Sequence, residues 1–318
     1  MVKVQATRGA EAVRLSHCAG FYGSHVELVA QLEPLARAAR DRGEPLVVGV
    51  RSITEQALRH LLGDAVELIP LAQPVGADPG SGQTVASRRA LQLRKLTEGG
   101  TRPVTAITEH ISRFDGPDGS FWTELDAAMN VALSELPVTL TCFFPDLPLH
   151  QRILDGARSN HEQLLVDGVL RSNSGYQAPR DVLADQPAAA PDVLGPPDVS
   201  LQFGAWELHE VRAQVQQALL DGGCQLNHAE DVVLAVNEVA TNAVEHGESE
   251  AELYLWTGDE LVCEVHDRGI LSDPLPGLQA PHPSHPRGRG LWIARQLCDM
   301  LHIWSDAGGT HVRMRTTR

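Results

Sequence analysis

Apolar positions follow two different rhythms along this chain. From Leu226 to Gly247 (LNHAEDVVLAVNEVATNAVEHG), Val232, Val233, Val236, Val239, Ala240, Ala243 and Val244 recur at helical spacing. The stretch predicts an amphipathic helix with one broad apolar face. Asn227 followed by Glu230 predicts a capping box at its start, and Gly247 a stop at its end. Glu238 and Asn242, four apart, are neighbours on one face beside the stripe. Upstream, Leu208–Leu220 has a helical pattern that ends at Gly222-Gly223. Downstream, Ala251–Trp256 and Leu261–His266 read as strands joined by the hairpin turn Thr257-Gly258-Asp259. Asp267-Arg268-Gly269 follows, and then Ile270 to Pro286 carries Pro274, Pro276, Pro281, Pro283, Pro286 and Gly277, too broken for either element. A long structureless loop inside a compact domain predicts a functional lid. A helix running from Arg287-Gly288-Arg289-Gly290-Leu291 to about Leu301, then strands at His302–Ser305 and His311–Arg315 meeting across Gly308-Gly309, complete an α+β pattern.

The other rhythm fills residues 1–177. Short apolar runs at Pro45–Val50, Ala65–Leu71, Pro103–Thr108 and Val138–Phe144 alternate with helical patterns at Val26–Arg40, Thr54–Leu62, Thr84–Leu96 and Phe121–Leu136. Strand, helix, strand in repetition predicts an α/β layer with a mostly parallel sheet flanked by helices. Between the two patterns, residues 178–199 hold Pro179, Pro187, Pro191, Pro196 and Pro197 among alanines and aspartates. Proline removes donors and favours extended backbone, so this stretch is expected to be a semi-rigid linker between domains at 1–177 and 200–318.

Composition narrows the class. The 318 residues suffice for two domains with their own cores, and 42% hydrophobic with 21% charged residues fits a folded protein. The net charge of −15 argues against direct nucleic-acid binding, which needs clustered Lys and Arg. Neither an amino-terminal signal-peptide core nor an apolar run of about 18 residues is present, so a cytoplasmic protein without membrane spans is expected. The five cysteines have no C-x-x-C spacing and suggest neither a disulfide frame nor a zinc site, with Cys263 and Cys298 read as small core residues. Gly80-Ser81-Gly82 reads as a flexible loop, with a phosphate cradle the alternative, and Asp115-Gly116-Pro117-Asp118-Gly119 as a turn; no P-loop is present. His17 and His25, around Phe21 and Tyr22, are read as ordinary packing, with ligand contact the alternative.

Two resemblances sharpen this picture. His17-Cys18-Ala19-Gly20-Phe21-Tyr22, Gly43-Glu44-Pro45, Leu140-Thr141-Cys142-Phe143-Phe144-Pro145 and Ala157-Arg158-Ser159-Asn160-His161 resemble the MEDS-type sensory domain, with Glu162 where that family has proline. The resemblance implies a sensory or docking role for residues 1–177. In the second half, Glu238-Val239-Ala240-Thr241-Asn242, Asp267-x-Gly269, Gly288-x-Gly290-Leu291 and Gly309-Thr310 occur in the order of the GHKL (Bergerat) ATP-binding domain. Thr241-Asn242-Ala243 and His246-Gly247 resemble its anti-sigma-factor serine kinase branch. Leu271 replaces that family's second acidic-loop glycine, which bears on lid geometry.

That resemblance implies Mg-ATP as ligand. Asn242 would supply a carbonyl oxygen to Mg²⁺, and Glu238 would accept the hydroxyl proton of an attacking serine. Asp267 would accept from the adenine amino group, with Gly269 leaving room for the ring. Gly288, Gly290 and Leu291 would let backbone N–H groups approach phosphate where a helix begins; Arg287 and Arg289 would add charge, and Thr310 would approach from the last strand. The implied function is an anti-sigma regulator that sequesters a sigma factor and phosphorylates Ser/Thr on a STAS-type antagonist, as a homodimer; the presence of Glu238 favours the enzyme, since binding alone needs only Asn242 and the glycines. The rival readings are an ATP-binding regulator without kinase activity and a sensor histidine kinase. The latter would use His161-Glu162, where the Arg and Pro of a phosphoacceptor box are missing.

Overall fold

Two sheets hold every strand among the described residues. The computed structural model describes residues 14–63, 66–73, 81–115, 118–146, 149–185, 187–188, 190–247, 250–281 and 288–317. The first domain runs β1 (Ser16–Tyr22), α1 (His25–Asp41), β2 (Leu46–Gly49), α2 (Ser52–Leu62), β3 (Leu68–Pro70), α3 (Gly82–Leu96), β4 (Val104–Glu109), α4 (Ser120–Ala132), β5 (Val138–Pro145), α5 (Gln151–Asn160), β6 (Gln163–Val166) and β7 (Val169–Ser172). Its seven-stranded sheet has the order β3-β2-β4-β5-β1-β6-β7, parallel throughout except that β7 turns back on β6.

Side-chain alternation sorts this sheet into two cores. Leu46 and Val48 join α1 and α2 on one face, whereas Val47, Leu140 and Cys142 join α3, α4 and α5 on the other. The expected α/β layer is therefore present. The strand at Ser16–Tyr22 is central to it, although its local pattern predicts no strand. It is defined by its neighbours, since it pairs in parallel with β5 over Ser16↔Thr139 to Tyr22↔Pro145.

Within the proline-rich stretch, Pro179 opens a short helix, α6 (Pro179–Asp185), as a first-turn proline can because its missing N–H has no intrahelical partner to lose. Its Val182 and Leu183 are buried, and Leu183 joins the core of the first domain.

The second domain comprises β8 (Val199–Phe203), α7 (Leu208–Asp221), α8 (Leu226–His246), β9 (Ala251–Thr257), β10 (Glu260–Asp267), α9 (Gly290–Leu297), β11 (Met300–Asp306) and β12 (Gly309–Thr317). Its five-stranded antiparallel sheet, β11-β12-β10-β9-β8, packs one face against the helices. The α8 stripe is buried as its spacing predicts, through Val232, Val236, Val239, Ala240 and Ala243.

Two local expectations are corrected. The capping box does not form: the N-cap of α8 is Gln225, with no side-chain cap. Gly223 at φ +81° turns the chain, Cys224 N–H donates to the Leu219 carbonyl, and the helix begins early enough to leave Asn227 inside its first turn. The last helix stops at Leu297 rather than near Leu301. Cys298 is extended, and the Asp299 carboxylate accepts from both the backbone N–H and the hydroxyl of Thr317, which draws the chain into β11.

Candidate functional site

A cavity of about 1040 Å³ opens between α8, the ends of β10 and β12, the loop after β10 and the start of α9. Glu238 and Asn242 line it from α8, one turn apart and half-buried, because the helix turns its fully apolar face to the sheet. Asp267, Gly269 and Thr310 line it from the strands; Gly288, Arg289, Gly290 and Leu291 line it from the segment that leads into α9. Arg287 lies outside the described residues, as do Gly80, Gly116 and Pro117. The structure thus brings together every other residue that the nucleotide-binding resemblance singled out, from separate segments of the second domain, whereas His17, His25 and His161 lie elsewhere.

The floor around Asp267 is tight. Asp267 and Thr310 face each other in the β10–β12 register, and both are about nine-tenths buried. Gly269 N–H donates to Asp267 Oδ1 at 2.7 Å, and Thr310 Oγ1 donates to the Gly269 carbonyl at 3.0 Å. A Cβ on Gly269 would stand 2.7 Å from Asp267 Oδ1 and 2.8 Å from the His246 carbonyl, so this turn closes only with glycine. Burial raises the Asp267 carboxyl above its ordinary value, against the opposing pull of the Gly269 N–H. A carboxylate held there is a strong acceptor in a place water reaches poorly.

The opposite wall is equally close. A Cβ on Gly290 would lie 2.5 Å from Glu238 Oε2, so the carboxylate rests against the backbone at the start of α9. No side chain caps that helix, and its leading N–H groups keep their capacity for an anionic ligand. The donors on α8, one carboxamide and one carboxylate, are hard oxygen ligands few in number. They suit Mg²⁺, which keeps most of its shell as water and phosphate oxygen. Leu271, where the resemblance leads one to expect glycine, packs against the second domain's core and lines the cavity, while Ile270 is 95% exposed.

The loop after β10 is held from the far side. Leu275 and Leu278 are buried in the core of the first domain, where their side chains contribute about 1.5–3 kcal/mol each as an upper estimate. Asp273 pairs with Arg180 at 3.0 Å, and Gln279 donates to Glu135 at 3.0 Å. Gly277, at φ +70°, lies against the Leu291–Trp292 backbone at the start of α9. Arg295 is buried; its Nε donates to the Pro276 carbonyl at 2.9 Å and its guanidinium to Gln83 Oε1 on α3 at 2.6 Å. None of this anchoring is signalled by the sequence: Leu275 and Leu278 sit among prolines without periodicity, and Arg295 resembles any polar helix residue.

Residues 205–316 match the family described as "Histidine kinase-like ATPase domain". The two-layer α+β arrangement of the second domain agrees with the GHKL ATPase fold. Among solved structures, the crystal structure of the RsbU and RsbW domains of Rv1364c from Mycobacterium tuberculosis is similar at 24% identity and a TM-score of 0.27. The match covers 38% of this chain and 33% of that one. No helix among the described residues is long and apolar enough to cross a membrane.

Proposed function

We propose that the second domain binds Mg-ATP in this cavity and that the protein is an anti-sigma regulator. It would sequester a sigma factor and transfer phosphate to Ser/Thr on a STAS-type antagonist. The observation that carries the reading is the convergence of Glu238, Asn242, Asp267, Gly269, Gly290 and Thr310 on one cavity. The family match over residues 205–316 supports the nucleotide.

Asn242 would hold Mg²⁺, which when bound neutralises phosphate charge. Asp267 selects the base through its carboxylate, and the leading N–H groups of α9 receive phosphate oxygens. Glu238 accepts the proton as a hydroxyl oxygen of the antagonist bonds to the γ-phosphorus; the bond to the bridging oxygen breaks and ADP leaves. Because Leu275 and Leu278 tie the loop over the cavity to the first domain, that domain would govern nucleotide access, as a sensory half should. His161 is fully buried, which gives no support to a phosphoacceptor role.

The test uses the full chain with γ-labelled ATP and a STAS-type antagonist. Wild type is expected to label the antagonist. Glu238→Gln is expected to keep nucleotide binding and lose transfer by about 10²–10⁴-fold, whereas Asn242→Ala loses both. Binding without any transfer in wild type would leave an ATP-gated binder; heatless mixing with nucleotide in calorimetry would end both readings.

A further inference from the structure

The first domain encloses a second chemical cluster that nucleotide binding does not use. His17 on β1, Asp126 on α4, Cys142 on β5 and His161 just after α5 are all buried, and each offers one ligand atom within 4.8 Å of the others. The β1–β5 register pairs His17 with Leu140 and Ala19 with Cys142, which puts His17 and Cys142 on the same sheet face. α4 and α5 cover that face and bring in the other two groups.

The hydrogen bonds set both imidazoles in one tautomer. His161 Nδ1 lies 2.6 Å from the Ala157 carbonyl, a pure acceptor, so Nδ1 carries the proton and Nε2 the lone pair. That Nε2 is buried without a hydrogen-bond partner, and so is Asp126 Oδ2. His17 Nδ1 lies 2.8 Å from Asn130 Oδ1, and Asn130 spends its amide N–H on the Asn160 carbonyl at 2.6 Å. The amide is thereby oriented with its oxygen toward the ring, so His17 also presents an Nε2 lone pair, 3.3 Å from Cys142 Sγ. An imidazole whose far nitrogen is tied to a carbonyl is the arrangement metal-bound histidines adopt. Arg89 is buried nearby, close enough to act electrostatically on Asp126 and Cys142, while its Nε donates to the Ala72 carbonyl.

We propose that the first domain binds one divalent transition-metal ion, zinc by its ligand set, through His17 Nε2, Asp126 Oδ2, Cys142 Sγ and His161 Nε2. Two imidazoles, one thiolate and one carboxylate form a closed four-coordinate set that Mg²⁺ and Ca²⁺ do not favour. Ligand bonds of about 2.0–2.3 Å place tetrahedral neighbours about 3.3–3.8 Å apart. The His17–Cys142 separation is already there, and the remaining atoms need only a small inward shift. Thiolate and carboxylate together balance the ion's charge, and binding releases the thiol proton. Entry from solvent is available, since His17 and Asn130 also line a cleft of about 830 Å³ shared with Asp273, Leu275 and Gly277.

The test begins with the full chain purified without chelator, stripped, and then dialysed against Zn²⁺ and against Co²⁺. Wild type is expected to retain about one ion per chain, with Co²⁺ giving an intense tetrahedral visible spectrum and a thiolate-to-metal charge-transfer band. Cys142→Ser is expected to lose that band, whereas Cys263→Ser, a buried cysteine of the other domain, leaves it intact. Asn130→Leu, which frees the His17 ring, should weaken affinity by about 10–100-fold. A misfolded ligand variant reports nothing, so wild type alone suffices to refute the proposal: a folded chain holding no stoichiometric metal and showing no Co²⁺ band overturns it. Full retention of the charge-transfer band in Cys142→Ser does the same.

Discussion

Asp267 combines two demands that conflict. In its proposed role it has to be ionised to accept from a base, yet burial raises its carboxyl above the ordinary range. Its folded-state affinity for a proton is therefore increased, and protons compete with nucleotide. Nucleotide affinity should be complete above the raised value and fall by about tenfold per pH unit below it, with onset at a higher pH than for an exposed aspartate. Calorimetric titration across pH tests this, with Asp267→Asn expected to flatten the profile. At Gly290 the relevant quantity is space. A methyl group there meets the mobile end of Glu238, not backbone, so Gly290→Ala should displace the carboxylate without unfolding the domain. Phosphotransfer is expected to fall by about 10²-fold with the thermal midpoint little changed. Retained transfer would show that Glu238 does not act from its observed position.

At the scale of elements, the loop from 270 to 281 belongs to two domains at once. Ile270, Leu271 and Pro276 within it line the proposed nucleotide cavity, while Leu275 and Leu278 are buried under the first domain. Truncating buried leucines costs about 2–5 kcal/mol each when the surroundings cannot collapse. Here the anchored segment can release instead, so Leu275→Ala with Leu278→Ala should free the loop at lower cost. Faster nucleotide exchange and proteolytic cleavage within residues 270–281 are the expected readouts. Unchanged exchange in the double variant would remove the proposed route from first domain to cavity.

For the whole molecule, α3 and the β11–α9 region form the seam. Thr84 Oγ1 donates to the Leu301 carbonyl at 3.0 Å and accepts from its N–H at 3.1 Å. Arg88 reaches the Asp299 carbonyl, and Arg295 bridges Gln83, Pro276 and Leu301. Burial lowers Arg295 to about 10, which still leaves it charged near neutrality. Arg295→Ala would strand several buried acceptors, each costing about 1–3 kcal/mol, and is expected to split one cooperative thermal transition into two. A single unshifted transition would mean that the seam does not couple the domains.

Local spacing by itself determined what local spacing can carry. The apolar stripe of α8, the hairpin of β9 and β10, and the alternation of β2, α2, α3, β4, α4 and β5 follow from side chains a few residues apart. The motifs around Glu238, Asn242, Asp267 and Gly290 could be found because each is short. Only the tertiary structure decided that these motifs share one cavity, that Leu275 and Leu278 leave their own domain, and that Ser16–Tyr22 is a central strand. It alone brought His17, Asp126, Cys142 and His161 together. Those outcomes rest on contacts between residues distant in the chain, more than a hundred positions apart for Cys18↔Thr141. No periodicity within a window records which distant face a side chain will meet.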